Sequence, residues 1–218
     1  MYDLSDVLDT DAVSSVRPGT SVLIAGPAMT GKENLAKDIL ADGSRRGEGA
    51  LVVSTSDGAE NVVADYRDRV VGVDNLQLGV VDCRAEGGGE LESRDGLYVH
   101  HVSSPGDLTG IGIGITKALE SLHGAGADRG RMALMSLSTM LTYTDRETVF
   151  KFCHVLSSRL DAAGYLGVFT IDTGAHDEQT LQVIKQAFDG LVEIRDGDAG
   201  REARVLGLTD GPTAWAAL

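Results

Sequence analysis

Lysine is scarce in this 218-residue sequence, cysteine is scarcer, and long apolar runs are missing altogether. The two cysteines, Cys83 and Cys153, support no disulfide framework and show no metal-ligand spacing. No stretch approaches the roughly 20 apolar residues that a membrane helix needs. The start, Met1-Tyr2-Asp3-Leu4-Ser5-Asp6, is acidic and lacks the basic opening and apolar run of a signal peptide. These absences predict a soluble, cytoplasmic protein with no membrane partner. Dense basic segments are also missing beyond Arg45-Arg46 and Arg67-x-Arg69, and the formal net charge is −14. Such a surplus argues against sequence-blind binding to nucleic acid or anionic lipid, because both polyanions would be repelled.

What is present is enough for a core. The chain is 42% hydrophobic, and its length suits one α/β domain spanning residues 1–218. The acidity is of a particular kind: 22 Asp and 11 Glu stand against only 5 Lys and 14 Arg. Short, strongly hydrated carboxylates are favoured over long-stemmed cations. The bias is similar to that of cytoplasmic proteins from salt-loving archaea, where molar salt screens charges beyond about 3 Å. An ordinary acidic protein from a high-GC bacterium is the alternative source.

Apolar runs and helical patterns alternate along the chain. After a lead-in over residues 1–16, Ser21–Ala25 reads as a strand buried on both faces. A helix follows over Lys32–Ala41, then strands over Leu51–Val53 and Leu78–Val81, the latter ending at Asp82. Arg84–Glu90 is glycine-rich and suits a surface loop better than a phosphate cradle. Leu97–Val102 is a strand, Ile111–Leu122 a helix, and Met132–Leu137 a strand. Thr144 and Glu147 have the spacing of a capping box, opening a helix to about Ala162 that Gly164 ends. Gly167–Ile171 is a strand and Glu178–Phe188 a helix. Residues 189–208 form a closing hairpin, Leu191–Ile194 and Ala203–Leu208, around a polar turn at Asp196–Gly200. This order predicts a mostly parallel, doubly wound sheet with helices on both faces and an antiparallel hairpin at its end.

One motif carries chemistry. Gly26-Pro27-Ala28-Met29-Thr30-Gly31-Lys32-Glu33 fits G-x-x-x-x-G-K, directly after the first buried strand and before a helix. Glycines let the backbone wrap phosphates, amides converge on them, and the lysine reaches the terminal oxygens. The helix adds its positive dipole end. Glu33, however, stands where a Mg²⁺-binding Ser or Thr is usual. A carboxylate 4 Å from a phosphate charge is repelled by about 4 kcal/mol at an effective dielectric near 20. A bridging Mg²⁺ reverses the sign, because carboxylates are good Mg²⁺ ligands. Nucleotide binding is therefore expected to depend on Mg²⁺ or to be absent.

A nucleotide hydrolase also needs an acid at the end of an apolar strand. The Met132–Ser138 segment carries none. Asp82 and Asp172 both end apolar strands and both qualify as ligands of a metal or its waters, and Glu33 and Asp82, with Asp57, are the residues expected to handle a Mg²⁺ ion. Asp57, just after the second strand, is the candidate for polarising water.

Taken together these residues resemble the RecA-like P-loop proteins of the KaiC/GvpD/RadA group, and within it the haloarchaeal HTR-like or KaiC-like branch. Arg17–Pro27 is similar to the family's lead-in to the phosphate loop, and Ser136–Leu141 to its Walker B region, whose Asp falls on Met135 here. Val81–Cys83, Ser104–Ile113 and the 189–208 hairpin continue the likeness. The resemblance implies a RecA-like fold, ATP or ADP bound with Mg²⁺, and assembly with copies of itself or a protein partner. Glu33 and Met135 imply weak or no hydrolysis, and the family's paired glutamates fall on Ser56-Asp57, leaving one acid. Two functions follow: a nucleotide-binding regulatory protein, or a pseudo-ATPase that binds no nucleotide and serves as a protein-interaction module. A DNA strand-exchange ATPase fits worst, lacking a basic path and a full active site.

Other clusters read as structure. Gly110-x-Gly112-x-Gly114 suits close packing at a helix start rather than a dinucleotide fingerprint. Asp177 and Glu178 suit the first turn of a helix. His100 and His101 alternate across a strand, and Cys153 and His154 do not face one another on a helix.

Overall fold

The computed structural model describes residues 1–84, 89–94, 96–197 and 200–218, with residues 89–94 described by their backbone alone. A short helix α1 (Ser5–Leu8) and a 3-10 turn over Asp11–Val13 precede β1 (Ser21–Gly26) and α2 (Lys32–Arg45). Then come β2 (Gly49–Ser54), α3 (Ala59–Arg69), β3 (Leu78–Asp82), β4 (Gly89–Arg94), β5 (Leu97–His101) and α4 (Leu108–Gly124). The second half contains β6 (Gly130–Met135), α5 (Leu137–Tyr143), α6 (Arg146–Ala163), β7 (Leu166–Asp172) and α7 (Glu178–Lys185). The chain closes with β8 (Gly190–Gly197), β9 (Gly200–Leu206) and β10 (Ala216–Ala217).

Among the described residues the strands form one sheet in the order β10-β9-β8-β1-β7-β6-β2-β3-β5-β4. The run from β8 to β5 is parallel, while β9, β10 and β4 add antiparallel edges. Alternation along each central strand feeds two cores. Val22 and Ile24 of β1 face the side covered by α2 and α3, whereas Leu23 and Ala25 face α4, α5, α6 and α7. Ala50 and Val52 against Leu51 and Val53 repeat this on β2. Both faces are dry, so these strands read as unbroken apolar runs. Each buried aliphatic side chain contributes about 1.5–3 kcal/mol. The expected α/β architecture is therefore present. No helix among the described residues is long and apolar enough to cross a membrane.

The N-terminal lead-in is part of the first core. Tyr2 pairs with Val16 in an antiparallel bridge, and Tyr2, Leu4, Leu8 and Val13 are buried against that face of the sheet. The Tyr2 hydroxyl donates to the Gly164 carbonyl at 2.7 Å. Beside it, Arg131 is fully buried, bound to Glu48 at 2.7 Å and to Asp42 at 3.0 Å.

Several elements differ from the sequence expectation. Helix α2 runs past Ala41 to Arg45, and α3, α5 and β4 are additional. The strand expected over Met132–Leu137 stops at Met135, and Leu137 opens α5. The cap of α6 is Asp145, whose Oδ1 accepts the Thr148 N–H at 2.9 Å; Thr144 ends α5 instead. Helix α7 stops at Lys185, and the Asp189 carboxylate beyond it accepts the Ser21 N–H at 2.8 Å. Of the glycine-rich Arg84–Glu90 stretch, residues 85–88 lie outside the described residues, and Glu90 pairs with His100 in β4. Of the hairpin turn, residues 198 and 199 lie outside them, and the ladder extends to Gly197 and Gly200.

Candidate functional site

The glycine-lysine segment forms a loop between β1 and α2. At Gly26 a side chain is excluded by packing: a Cβ there would lie 2.8 Å from the Ile194 carbonyl oxygen of β8. Thr30 is buried and donates to the Pro27 carbonyl at 2.8 Å, folding the loop on itself. Met29 is fully exposed with a φ of 63°, and Gly31, with a φ of 81°, precedes the first helical residue. The left-handed turn at Gly31 is one that only glycine adopts cheaply. Among the described residues no backbone acceptor takes the N–H groups of residues 28–34. The result is a run of N–H groups without a backbone acceptor at the positive end of a 14-residue helix, the kind of terminus that binds anions.

A cleft of about 480 Å³ opens beside the loop. Lys32, Glu33, Ser136, Ser138 and Asp172 line it. Lys32 Nζ donates to the Pro27 carbonyl. Burial pulls the Lys32 ammonium below its usual pKa, while the carboxylates of Asp172 and Glu33 oppose that shift. Ser138 Oγ accepts the Asp172 N–H at 2.9 Å and lies 2.8 Å from His176 Nε2, tying α5 to the end of β7. Two carboxylates, Glu33 and Asp172, and three hydroxyls, of Ser136, Ser138 and Thr139, thus share a cleft with the phosphate-type donors. That donor set fits a Mg²⁺ ion, which takes carboxylates together with water and phosphate oxygens. A larger cleft of about 550 Å³ between α4 and α6 has mainly aliphatic and aromatic walls and no comparable set of amide donors.

The expected site residues are only partly brought together. Gly26, Pro27, Ala28, Met29, Thr30, Gly31, Lys32 and Glu33 form one continuous loop and helix start. Asp82 does not join them. Strand β3 is four strand spacings from β1, about 19 Å at about 4.8 Å each. The buried Asp82 carboxylate instead accepts the Ala59 and Arg84 N–H groups, both at 2.9 Å, and faces His101 Nδ1 at 3.4 Å. It anchors the start of α3. Asp57 lies beyond the end of β2, a strand three spacings or about 14 Å from β1, and its N–H is held by Ser54 Oγ at 3.0 Å. Met135 ends β6 with its side chain buried, so no carboxylate occupies that strand end.

Of the two strand-end aspartates, Asp172 is therefore the one beside the loop. Ser136 and Ser138, read in the sequence only as part of a longer likeness, line the cleft. Arg201 of β9, which no local pattern marks, lies against Gly31.

The remaining clusters are structural. Gly114 sits in α4, where a Cβ would collide with His100. Asp177 caps α7 by accepting the Thr180 N–H at 2.6 Å. Arg46 is paired with Asp3, Asp6 and Asp42, and Arg69 with Asp38 and Asp65. Burial pushes both the Cys83 and Cys153 thiols up to about 12, so neither is poised as a nucleophile. Among the described residues no group of three His, Cys, Asp or Glu side chains is placed to hold a metal.

The model of a family described as being of unknown function, DUF7504, matches residues 19–194. No curated protein matches the sequence. Among solved structures, the chain is similar to a KaiC-like protein from the hyperthermophilic archaeon Pyrococcus horikoshii OT3. The TM-score is 0.59 at 13% identity, over 100% of this chain and 88% of that one. At that identity the likeness establishes the fold, which is of the KaiC-like RecA type.

Proposed function

The chain belongs to the DUF7504 family, and we propose that it is a nucleotide-binding regulatory protein of the RecA/KaiC-like group, with weak or no ATP hydrolysis. The observation that carries this reading is the row of N–H groups without a backbone acceptor over residues 28–34, with Lys32 at the start of α2. Such a row binds the polyphosphate of ATP or ADP. Glu33 and Asp172 would hold a Mg²⁺ ion, which neutralises phosphate charge that the two carboxylates would otherwise repel. The buried methionine at position 135, where the resemblance puts the Walker B aspartate, supports weak hydrolysis.

One observation favours the second reading, a pseudo-ATPase that serves as a protein-interaction module. Lys32 already donates to Pro27, so the loop satisfies its own lysine. Either reading implies a protein partner or a homo-oligomer in the cytoplasm. The acidic, lysine-poor composition supports a place beside the haloarchaeal HTR-like branch.

Calorimetric titration of ATP in molar KCl, with and without Mg²⁺, tests the proposal. Binding that requires or is strongly tightened by the metal is expected. Equally tight binding without metal would contradict the role of Glu33 and Asp172.

A further inference from the structure

We propose that Arg201 is a phosphate-binding residue that the C-terminal hairpin supplies to the loop of its own chain. The inference rests on the nucleotide-binding reading and adds to it a second cation, from an element far away in sequence.

The geometry comes first. A Cβ built on Gly31 would collide with Arg201 Nη1, so the guanidinium lies on the last glycine of the loop. Sheet order explains how it gets there. Strand β8 lies beside β1, and β9 lies beside β8. Along β9 the buried Ala203 and Val205 belong to the core on the side of the sheet that α2 covers, and period-two alternation puts Arg201 on that same side, against Gly31.

Its lack of a partner is the second observation. The neighbouring hairpin arginines are both engaged. Arg195 binds Glu202 at 2.8 Å and Arg204 binds Glu193 at 2.6 Å, and both guanidinium groups stack on Trp215. Arg201 sits opposite Asp196 in the ladder, yet forms no ion pair with it or with any other carboxylate among the described residues. In a chain with 33 acidic residues against 19 basic ones, a guanidinium left without a carboxylate and laid on an anion-binding loop matches an anion from outside the chain.

Charge balance gives the same answer. Without Arg201 the site offers Lys32 against Glu33 and Asp172, while Lys37 at the rim is paired with Asp65 at 2.9 Å. Arg201 is not itself a lining residue of the cleft, but from its place against Gly31 it would add a second cation to offset the two carboxylates. A guanidinium also offers the planar, two-pronged donor that phosphate accepts, which an ammonium lacks. The chemical class of the ligand is a nucleoside di- or triphosphate, held through its phosphates.

The test is calorimetry with Mg²⁺-ADP and Mg²⁺-ATP on the full chain, comparing wild type, Arg201→Ala, Arg201→Lys and Lys32→Ala, with a thermal melt of each. The expected result is about tenfold weaker binding in Arg201→Ala, as loss of a charged hydrogen bond implies. Arg201→Lys should recover part of that loss, and the melting temperature should be unchanged. Wild-type affinity in Arg201→Ala, alongside lost binding in Lys32→Ala, would overturn the role of Arg201 and leave the loop reading intact. Absence of binding in the wild type would overturn both. Should Arg201→Ala melt early, Arg201→Lys decides. A wild-type melt with reduced affinity supports a phosphate contact. Wild-type affinity, or a melt as early as that of the alanine variant, makes Arg201 only a pin on the loop and overturns the proposal.

Discussion

Gly26, the last residue of β1, is in register with Asp172, the last residue of β7. The phosphate-type loop therefore leaves the sheet directly beside a carboxylate, in a fold where the usual acid position, Met135, carries none. This places the second candidate metal ligand on the strand that touches β1, rather than on β3.

The two strand-end aspartates should separate cleanly on substitution. Asp172→Asn is expected to remove most of the Mg²⁺-dependent gain in ATP affinity while leaving the fold intact. Asp82→Ala is expected to leave ATP binding near wild type. It should cost about 1–3 kcal/mol in urea unfolding, because the buried Ala59 N–H and the Arg84 N–H lose their acceptor. Mg²⁺ dependence lost in the Asp82 variant instead would reverse the assignment.

Arg131 should be the most sensitive charged position for stability. Its guanidinium is fully buried and bound by Glu48, Asp42 and the Ile39 carbonyl. Arg131→Ala removes the buried counter-ion of Asp42 and Glu48, which keep only the more exposed Arg46 and Arg129, so the cost is expected toward the lower end of the about 3–5 kcal/mol typical of a broken buried pair. Urea denaturation of the variant measures it; a loss below about 1 kcal/mol, the scale of a surface pair, would show the network to be solvated.

Salt should stabilise the protein. With 33 acidic and 19 basic residues, self-repulsion opposes the compact state, and raising KCl from about 0.1 M to molar levels shortens the screening length from about 10 Å to about 3 Å. The melting temperature is expected to rise over that range. A flat or falling curve would detach the acidic composition from any adaptation to salt.

How much of this was legible in the sequence depends on how local each feature is. The β1-loop-α2 unit was legible because strand, glycines, lysine and helix are contiguous, and because strands covered on both faces leave unbroken apolar runs such as Leu23-Ile24-Ala25. Helix α3 was not, since its fully buried stripe is only Ala59, Val62 and Tyr66, with Val63 half-buried and the remaining positions mostly charged or exposed. The α6 cap was ambiguous because Thr144 and Asp145 both have capping chemistry, and the start at Arg146 favours the aspartate. Asp82 and Asp172 look alike as strings, and only strand order, a non-local property, tells them apart. Arg201 is the extreme case: its contact with Gly31 bridges most of the chain and rests on the pairing of β8 with β1.

The central claim is that the loop from Gly26 to Lys32 binds nucleotide phosphates, and calorimetry on wild type and Lys32→Ala in Mg²⁺ and molar KCl tests it most directly. The account predicts saturable ATP and ADP binding to the wild type and its loss, or a weakening of about tenfold or more, in the variant. Identical heats for the two proteins would contradict it.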